Sequence, residues 1–248
     1  MPGKSAEWKR PSRKRLQRIR ELLRGYYGRP RNEPHRAPLD ELVLTILSQN
    51  TNDRNRDVAY ARLRSRFEGW NEVASAPLAE VEEAIRPGGI SKVKSKRIQQ
   101  ILQVIAKETG GLDIGFLERA PRERALEFLE SLPGVGRKTA ACVLLFSYDR
   151  PELPVDTHVY RVSSRLGLIR PNAPFEEAHR ELLDLVGDDP AAVYEVHVNM
   201  LRHGRRLCRP QRPLCEECPL LRLCPHGLEL RRLRKAPAGR LTSARTDR

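Results

Sequence analysis

The sequence lacks long hydrophobic runs, and this excludes several classes of protein. No apolar stretch approaches the roughly 18 residues that cross a bilayer, and the basic N-terminus has no apolar centre like that of a signal peptide. Sustained alternation of apolar and polar residues, the pattern of a half-buried strand, is absent, as are internal repeats. We therefore expect a cytosolic all-α protein without a membrane partner.

Acidic residues are also scarce. The 248 residues include 46 Lys and Arg but only 32 Asp and Glu, which gives a net charge of +14. Such an excess favours a polyanionic partner, above all nucleic acid, although a merely soluble basic protein has the same composition. Hydrophobic residues make up 39% of the chain, enough for the core of one large domain or two modest ones.

The apolar spacing is helical almost everywhere and predicts about ten helices. Residues 28–38 are typical of a linker, so the first helix, expected at about 15–27, can pack away from the helices that directly follow. Proline-containing start signals stand before four later helices, at Pro77, Pro121, Pro174 and Asp189–Pro190.

The stretch LPGVGRK, residues 132–138, predicts a hairpin between two helices. Gly134 and Gly136 allow a turn with positive φ, and free N–H groups at the start of the second helix can bind a phosphate without contacting any base. Lys138 follows in a first helical turn, where the helix dipole normally disfavours an ammonium. The stretch indicates sequence-independent DNA binding and leaves the position of the lysine to be explained.

Asp156 follows Lys138 by eighteen residues, in the segment VDTHVYR. An aspartate directly before Thr157 is a good helix N-cap, because its carboxylate can accept hydrogen bonds from the free N–H groups of the first turn. On this stretch alone, capping is the favoured interpretation.

Four cysteines form a C-x6-C-x2-C-x5-C array near the C-terminus: Cys208, Cys215, Cys218 and Cys224. Four thiols in one short basic loop of a cytosolic protein indicate a metal site rather than disulfides. Only one pair has the close spacing typical of structural zinc, so zinc and an iron-sulfur cluster both stay open from the spacing. The fifth cysteine, Cys142, lies in an apolar helix and is interpreted as inert core.

Taken together, the hairpin LPGVGRKTA, the VDTHVYR segment and the cysteine array resemble the endonuclease III family of helix-hairpin-helix DNA glycosylases, over about 35–225. The resemblance implies a two-domain all-α fold with DNA in the cleft between the domains. Its implied parts are a basic N-terminal segment and helix that pack with the cluster domain (1–34), a six-helix barrel (35–151) that includes the hairpin (about 125–147), and the C-terminal part of a [4Fe-4S] domain (152–227). The remaining residues, 228–248, are basic and lose the apolar period, so we expect an at least partly disordered tail there.

The resemblance also implies a function and its residues. The chain would be a monomeric bifunctional DNA glycosylase and AP lyase that acts in the cytoplasm, with the nucleoid, on duplex DNA carrying oxidised pyrimidines or abasic sites. Lys138 would be the nucleophile and Asp156 the essential carboxylate, while the four cysteines would hold a [4Fe-4S] cluster. We expect the helix start and shelter from water to lower the pKa of Lys138, with Asp156 acting against them.

Further residues would contact DNA. The hairpin would use Gly134, Val135, Gly136, Arg137 and Thr139. By alignment Gln49 would fill the gap left by a flipped nucleotide, and Ile90 would be an apolar wedge. The alternatives are a polar helix end for Gln49 and a core position for Ile90. Lys92, Lys94, Lys96 and Arg97 could contact phosphates or simply form a solvated face. In the segment LTILSQNTNDRN, Asn52 replaces the aspartate typical of the family.

Two alternative functions differ in class. The adenine glycosylase branch resembles the chain in hairpin and cluster, but it generally lacks the lysine and uses a glutamate where this chain has Thr45. A non-catalytic DNA-binding or redox-sensing iron-sulfur protein would need no nucleophile, so the presence of both Lys138 and Asp156 argues against it.

Overall fold

The protein is all-α, as predicted. The structure, a computed structural model, describes residues 8–32 and 37–235 and contains twelve α-helices and no strand within those ranges. The helices are α1 (Arg13–Tyr27), α2 (Pro38–Ser48), α3 (Asp53–Arg66), α4 (Trp70–Ser75), α5 (Leu78–Ile85), α6 (Ser91–Thr109), α7 (Arg122–Ser131), α8 (Arg137–Tyr148), α9 (Thr157–Arg165), α10 (Phe175–Val186), α11 (Pro190–Arg206) and α12 (Pro225–Lys235). None of the described helices is long and apolar enough to cross a membrane.

The predicted start signals coincide with helix N-termini. Pro77, Pro121 and Pro174 are the capping residues directly before α5, α7 and α10. Asp189 caps α11, and its carboxylate accepts a hydrogen bond from the Ala191 N–H at 3.0 Å. A fixed proline φ or a short acidic side chain thus defines these boundaries locally, before any tertiary contact forms.

The buried apolar side chains form two clusters. One lies among α2 to α8 and extends from Leu39 to Leu144. The other combines the N-terminal helix α1 with α9 to α11 and the cysteine loop. Helix α8 contributes to both, because Leu144 belongs to the first cluster and the next residue, Leu145, to the second. The domain boundaries themselves stay a prediction.

Helix α1 is held to α11 by an ion cluster as well as by its apolar face. The Glu195 carboxylate, whose side chain is 1% exposed, accepts hydrogen bonds from Arg20 at 2.9 Å and from Arg24 at 2.6 and 2.7 Å. Burial acts to raise the pKa of Glu195, but the hydrogen bonds from Arg24 and Arg20 outweigh it, so the pKa is lowered. The N-terminal helix α1 is therefore joined to α11 by a buried charge network.

The described C-terminal segment ends in a helix. Residues 228–235, the start of the segment expected to be at least partly disordered, continue the helix α12. The predicted tail beyond 235, the N-terminal residues 1–7 and linker residues 33–36 lie outside the described ranges; residues 29–32 and 37 are non-helical, as predicted for a linker.

Candidate active site and DNA interface

The predicted hairpin is present between α7 and α8. Gly134 has φ +70°, so this position requires glycine for its backbone conformation, and the Arg97 side chain packs closely against it. Gly136 differs from the prediction, since its φ of −106° is extended backbone that any residue adopts. The positive-φ turn therefore depends on one glycine rather than two.

The hairpin residues fall into two groups. The backbone N–H groups of Gly134, Gly136 and Arg137 donate to no backbone carbonyl among the described residues and lie at the N-terminus of α8, where an anion is favoured. Val135 and Thr139 are buried, and their N–H groups bond to Leu132 and Gly136 carbonyls. The structure thus places the first group for contact with a ligand and the second inside the turn.

The Arg137 guanidinium is held by acidic neighbours. It lies 3.4 Å from Glu130 and 3.3 Å from Glu152, and the buried Glu152 also binds Arg122. These ion pairs fix the start of α8 against α7. A contact of Arg137 with a phosphate would therefore use its N–H rather than its side chain.

Lys138 is the second residue of α8 and is half-buried. The pKa of Lys138 is raised above its ordinary value, first by the neighbouring Cys142 when that thiol is ionised and then by Asp156 and Glu41, while burial opposes them. Burial also raises the pKa of Cys142 to about 11, so at neutral pH the thiol is uncharged and the two carboxylates are the charges that act on Lys138. The shift is opposite in direction to the predicted lowering, and Cys142 is its largest cause, ahead of burial, Asp156 and Glu41 in that order.

Asp156 is the N-cap of α9, as predicted. Its Oδ1 accepts hydrogen bonds from the His158 N–H at 2.9 Å and the Val159 N–H at 2.7 Å. Both bonds use the same oxygen, and the carboxylate also acts electrostatically on Lys138. Capping and a role beside the lysine are therefore compatible in one residue.

His197 lies behind this carboxylate and was missed from the sequence. Burial lowers its pKa to about 4, against the opposing charge of Asp156, so the imidazole is neutral at physiological pH. Its Nδ1 lies 2.8 Å from the Pro154 carbonyl, which assigns the proton to Nδ1. Nothing in the spacing of a histidine within a helix such as α11 points to this neighbour, which only the packing of α11 on α9 provides.

A buried acid on α2 also was missed. Glu41 is 7% exposed, and the Thr45 hydroxyl donates to its Oε1 at 3.2 Å. In the sequence Glu41 looks like an ordinary acidic residue in a first helical turn. The packing of α2 against α8 instead brings it close enough to raise the pKa of Lys138.

Gln49 and Ile90 occupy different environments. Gln49 ends α2; its Oε1 accepts a hydrogen bond from Arg97 at 2.7 Å, and its Nε2 lies 3.5 Å from the Gly134 carbonyl of the hairpin. Ile90 precedes α6, is 52% exposed and has φ +49°, a conformation that a β-branched residue rarely adopts. The alternative that Ile90 is a core residue was therefore wrong.

The four cations after Ile90 do not share one role. Lys92 and Lys96 are exposed, whereas Arg97 is engaged by Gln49. Lys94 is 2% exposed, and its Nζ donates to two backbone carbonyls inside the protein. Only two of the four are thus free to contact phosphates through their side chains.

Asn52 and Asp53 begin α3 close to the second cluster. The Asn52 side chain caps the helix by accepting from the Asn55 N–H at 2.9 Å. The next residue, Asp53, binds Arg205 of α11 at 2.6 Å, and this hydrogen bond lowers the pKa of Asp53. An acidic residue thus stands one position after Asn52, and its ion pair with Arg205 joins α3 to α11.

The four C-terminal cysteines line one small pocket, together with His203 and Arg165. No three His, Cys, Asp or Glu side chains in the described ranges lie close enough to hold a single metal ion. Tetrahedral zinc, with Zn–S bonds of about 2.3 Å, needs sulfurs nearly in contact. All four thiols line the same pocket, and four thiolates are the donor set that an iron-sulfur cluster needs.

Hydrogen-bond donors surround the sulfurs. Arg165 donates to Cys208 Sγ at 3.3 Å, the Gly227 N–H donates to Cys224 Sγ at 3.3 Å, and His203 Nε2 lies 3.5 Å from Cys218 Sγ. Such donors stabilise thiolates, the form in which cysteine binds metal. The residues present therefore fit an anionic thiolate site.

Comparison with known proteins agrees with this arrangement. Residues 43–187 match the profile of the HhH-GPD superfamily of base excision DNA repair proteins. Endonuclease III of Thermotoga maritima is 38% identical over 207 residues, which cover 83% of this chain and 92% of the relative. Endonuclease III of Bacillus subtilis is 34% identical over 193 residues, which cover 78% and 83%.

Solved structures of endonuclease III also resemble this chain. A non-covalent complex of endonuclease III with DNA superimposes with a TM-score of 0.75 at 29% identity, covering 90% of this chain and 99% of the other. A trapped covalent intermediate of endonuclease III with DNA matches with the same TM-score and identity, covering 89% and 99%. From its sequence signature, its relatives and its hairpin, the chain belongs to the HhH-GPD superfamily of base excision DNA repair proteins.

Proposed function

We propose that Lys138 is the nucleophile with which this protein removes oxidised pyrimidines from duplex DNA and then cuts the strand. Membership of the family and similarity to endonuclease III make the chain a DNA glycosylase and AP lyase of base excision repair. The observation that carries the proposal is the position of Lys138, half-buried beside the hairpin and within the field of Asp156.

The chemistry begins with base extrusion, because a base inside the duplex stack cannot be attacked. Uncharged Lys138 Nζ attacks the sugar C1′, and the bond from C1′ to the base breaks with its electron pair leaving on the base. The C1′–O4′ bond of the sugar ring then breaks, its electron pair leaves on O4′, which takes up a proton, and a protonated imine forms between Nζ and C1′. Loss of the 2′ proton then expels the 3′ phosphate by β-elimination, and hydrolysis of the imine frees the lysine.

Asp156 supports two parts of this sequence. At neutral pH Lys138 carries a proton that must leave before attack, and a nearby carboxylate can accept it. The same negative charge stabilises positive charge that develops on the sugar, so its benefit falls in the transition state. Because Oδ1 is used by the α9 cap, we assign proton transfer to Oδ2.

The proposed DNA interface combines the hairpin with Gln49, at the end of α2, and Ile90, just before α6. The open N–H groups of Gly134, Gly136 and Arg137 support phosphate binding. Ile90 is supported as a wedge by its exposure and strained backbone, and Gln49 as a gap filler by its place beside the hairpin. The structural neighbours that are endonuclease III complexes with DNA support duplex DNA as the partner. A monomeric state and a location with the DNA in the cytoplasm stay predictions.

The cysteine pocket is proposed to hold a [4Fe-4S] cluster. Cys208, Cys215, Cys218 and Cys224 would be its ligands, because they line one pocket and three of their sulfurs have hydrogen-bonding neighbours. When bound, such a cluster would join the segment just after α11 to the loop that follows it through four metal–thiolate bonds. No catalytic step passes through it.

The alternatives have less support. At the position of the adenine-branch glutamate, Thr45 donates a hydrogen bond to Glu41 and offers no carboxylate. A purely DNA-binding protein would have no use for a lysine surrounded by acidic groups at the hairpin.

Borohydride trapping tests the proposal. Reduction during turnover of an abasic-site or oxidised-pyrimidine duplex is expected to join protein to DNA at Lys138, as mapped by peptide mass spectrometry. Lys138→Gln is expected to abolish trapping and strand cleavage while most of the lesion affinity is kept. An adduct at another residue, or base release by Lys138→Gln at the wild-type rate, would contradict the assignment.

A further inference from the structure

Lys94 is the largest fully buried side chain of the described protein, although it is a lysine. Its Nζ donates to the Leu47 carbonyl at 2.7 Å and to the Gly88 carbonyl at 2.9 Å. Both partners are neutral, and burial lowers the pKa of Lys94. An apolar side chain would fill this space without the desolvation cost, so the ammonium calls for an explanation beyond packing.

The two carbonyls belong to the segments that lead into the proposed DNA-contacting residues. Leu47 lies in the last turn of α2, two residues before Gln49, and a cation is favoured there by the helix dipole. Gly88 ends the 3-10 turn Arg86–Gly88, two residues before Ile90. The Lys94 ammonium therefore connects the backbone segment that leads into Gln49 with the segment that leads into Ile90.

Lys94 also contacts both ends of the strained turn formed by Gly89 and Ile90. Its backbone N–H donates to the Ile90 carbonyl at 3.1 Å, while its side chain binds Gly88. Between them Gly89 has φ +69° and Ile90 has φ +49°. A left-handed β-branched residue persists only where its surroundings fix it, and Lys94 contacts the chain on both sides of it.

We propose that Lys94 is a positioning residue for base extrusion, which holds the exposed Ile90 side chain and the Gln49 segment at the separation needed to enter the duplex together. This inference rests on the proposed roles of Ile90 and Gln49. Arg97, one turn further along α6, connects these segments to the hairpin, because it binds Gln49 and packs against Gly134.

The experiment separates extrusion from chemistry in the full-length protein. Single-turnover base excision from a duplex with a paired oxidised pyrimidine needs extrusion, whereas borohydride trapping on an abasic site in single-stranded DNA does not. Lys94→Met is expected to lower the first rate at least about tenfold, because small misplacement of positioning groups carries large rate costs. The trapping rate is expected to stay within about twofold of wild type. Equal loss of both rates, or no change in their ratio, overturns the proposal.

Gln99 provides a matched control on the same helix. Its Nε2 donates to the Val73 carbonyl at 3.0 Å and the Ala76 carbonyl at 2.8 Å, so it too anchors α6 to a loop, but away from Ile90. Gln99→Leu is expected to leave the ratio of the two rates unchanged even where it reduces stability. If Lys94→Met does not fold, Lys94→Gln, which is shorter and uncharged, carries the same expectation.

A double mutant distinguishes this inference from the proposed function. If Lys94 acts through Ile90, adding Lys94→Met to Ile90→Ala is expected to slow excision by much less than the product of the single effects. If the double mutant slows excision by the full product of the two single effects, the proposed role of Lys94 is overturned. If Ile90→Ala alone leaves the ratio at the wild-type value, the wedge assignment itself fails, whichever result Lys94→Met gives.

Discussion

Lys138 and Asp156 stand at the starts of consecutive helices, the lysine as the second residue of α8 and the aspartate as the N-cap of α9. The aspartate satisfies the N-terminus of its own helix, and its charge also stabilises the ammonium that the start of α8 disfavours. This relationship gives a physical reason for a lysine in a first helical turn.

Asp156→Asn separates capping from catalysis. Asparagine is as good an N-cap as aspartate, so we expect the melting temperature to change little. Loss of the proton acceptor and of the negative charge opposite the sugar is expected to slow base excision by about 10²-fold or more. Single-turnover excision and thermal melting measure the two effects, and a nearly fully active variant would leave Asp156 as a cap only.

The pH dependence of imine formation follows from the raised pKa of Lys138. The attacking amine must be uncharged, so the rate of trapping is expected to rise with pH through the neutral range and to level off only above the raised pKa. Glu41→Gln removes one of the charges that raise this pKa and is expected to move the plateau to lower pH. Because the plateau lies above pH 10, the shift is measured as a higher trapping rate of Glu41→Gln than of wild type at each pH from 6 to 10; Glu80→Gln, at an exposed carboxylate paired with Arg66, is the control that leaves the rates in place.

Metal content tests the cysteine pocket. The purified protein is expected to be brown, with iron and inorganic sulfide in equal amounts near four per chain, by the family resemblance. Cys215→Ser is expected to reduce soluble folded protein more than it reduces the activity of what folds, because metal–thiolate bonds contribute to folding. Colourless folded protein with zinc would contradict the cluster, and a soluble, fully active, iron-free variant would show that it is dispensable.

Stability tests the ion cluster between α1 and α11. Glu195→Gln leaves Arg20 and Arg24 without their buried carboxylate and is expected to cost about 2–4 kcal/mol in the free energy of unfolding. Because the folded pKa of Glu195 is lowered, its stabilisation is present above the unfolded value of about 4.3 and is lost as the pH falls through the folded value. The difference between the two proteins in chemical denaturation should shrink below pH 4.

The exposed pair Arg66–Glu80 is the matched control for that measurement. Both side chains are nearly half exposed, so Glu80→Gln is expected to cost at most about 1 kcal/mol. Equal costs for the two substitutions would show that the buried cluster contributes no more than a surface ion pair.

The sequence by itself determined those features whose cause is local. Helix starts at Pro77, Pro121 and Pro174, the hairpin turn at Gly134 and the Asp156 cap follow from backbone preferences and short side chains, and the structure has all of them. The hairpin, the VDTHVYR segment and the cysteine array are likewise short local motifs, and their order and spacing along the chain were enough to identify the family.

Only the tertiary structure decided how helices far apart in the chain face one another. The packing of α2 against α8 brings Glu41 toward Lys138, where its charge contributes to the raised pKa of the lysine, and no local pattern shows that these charges converge. Likewise, Lys94 reads as one more cation of a basic run, yet the meeting of α6 with the end of α2 buries it against Leu47 and Gly88. Burial and electrostatics depend on these long-range contacts, whereas helix boundaries do not.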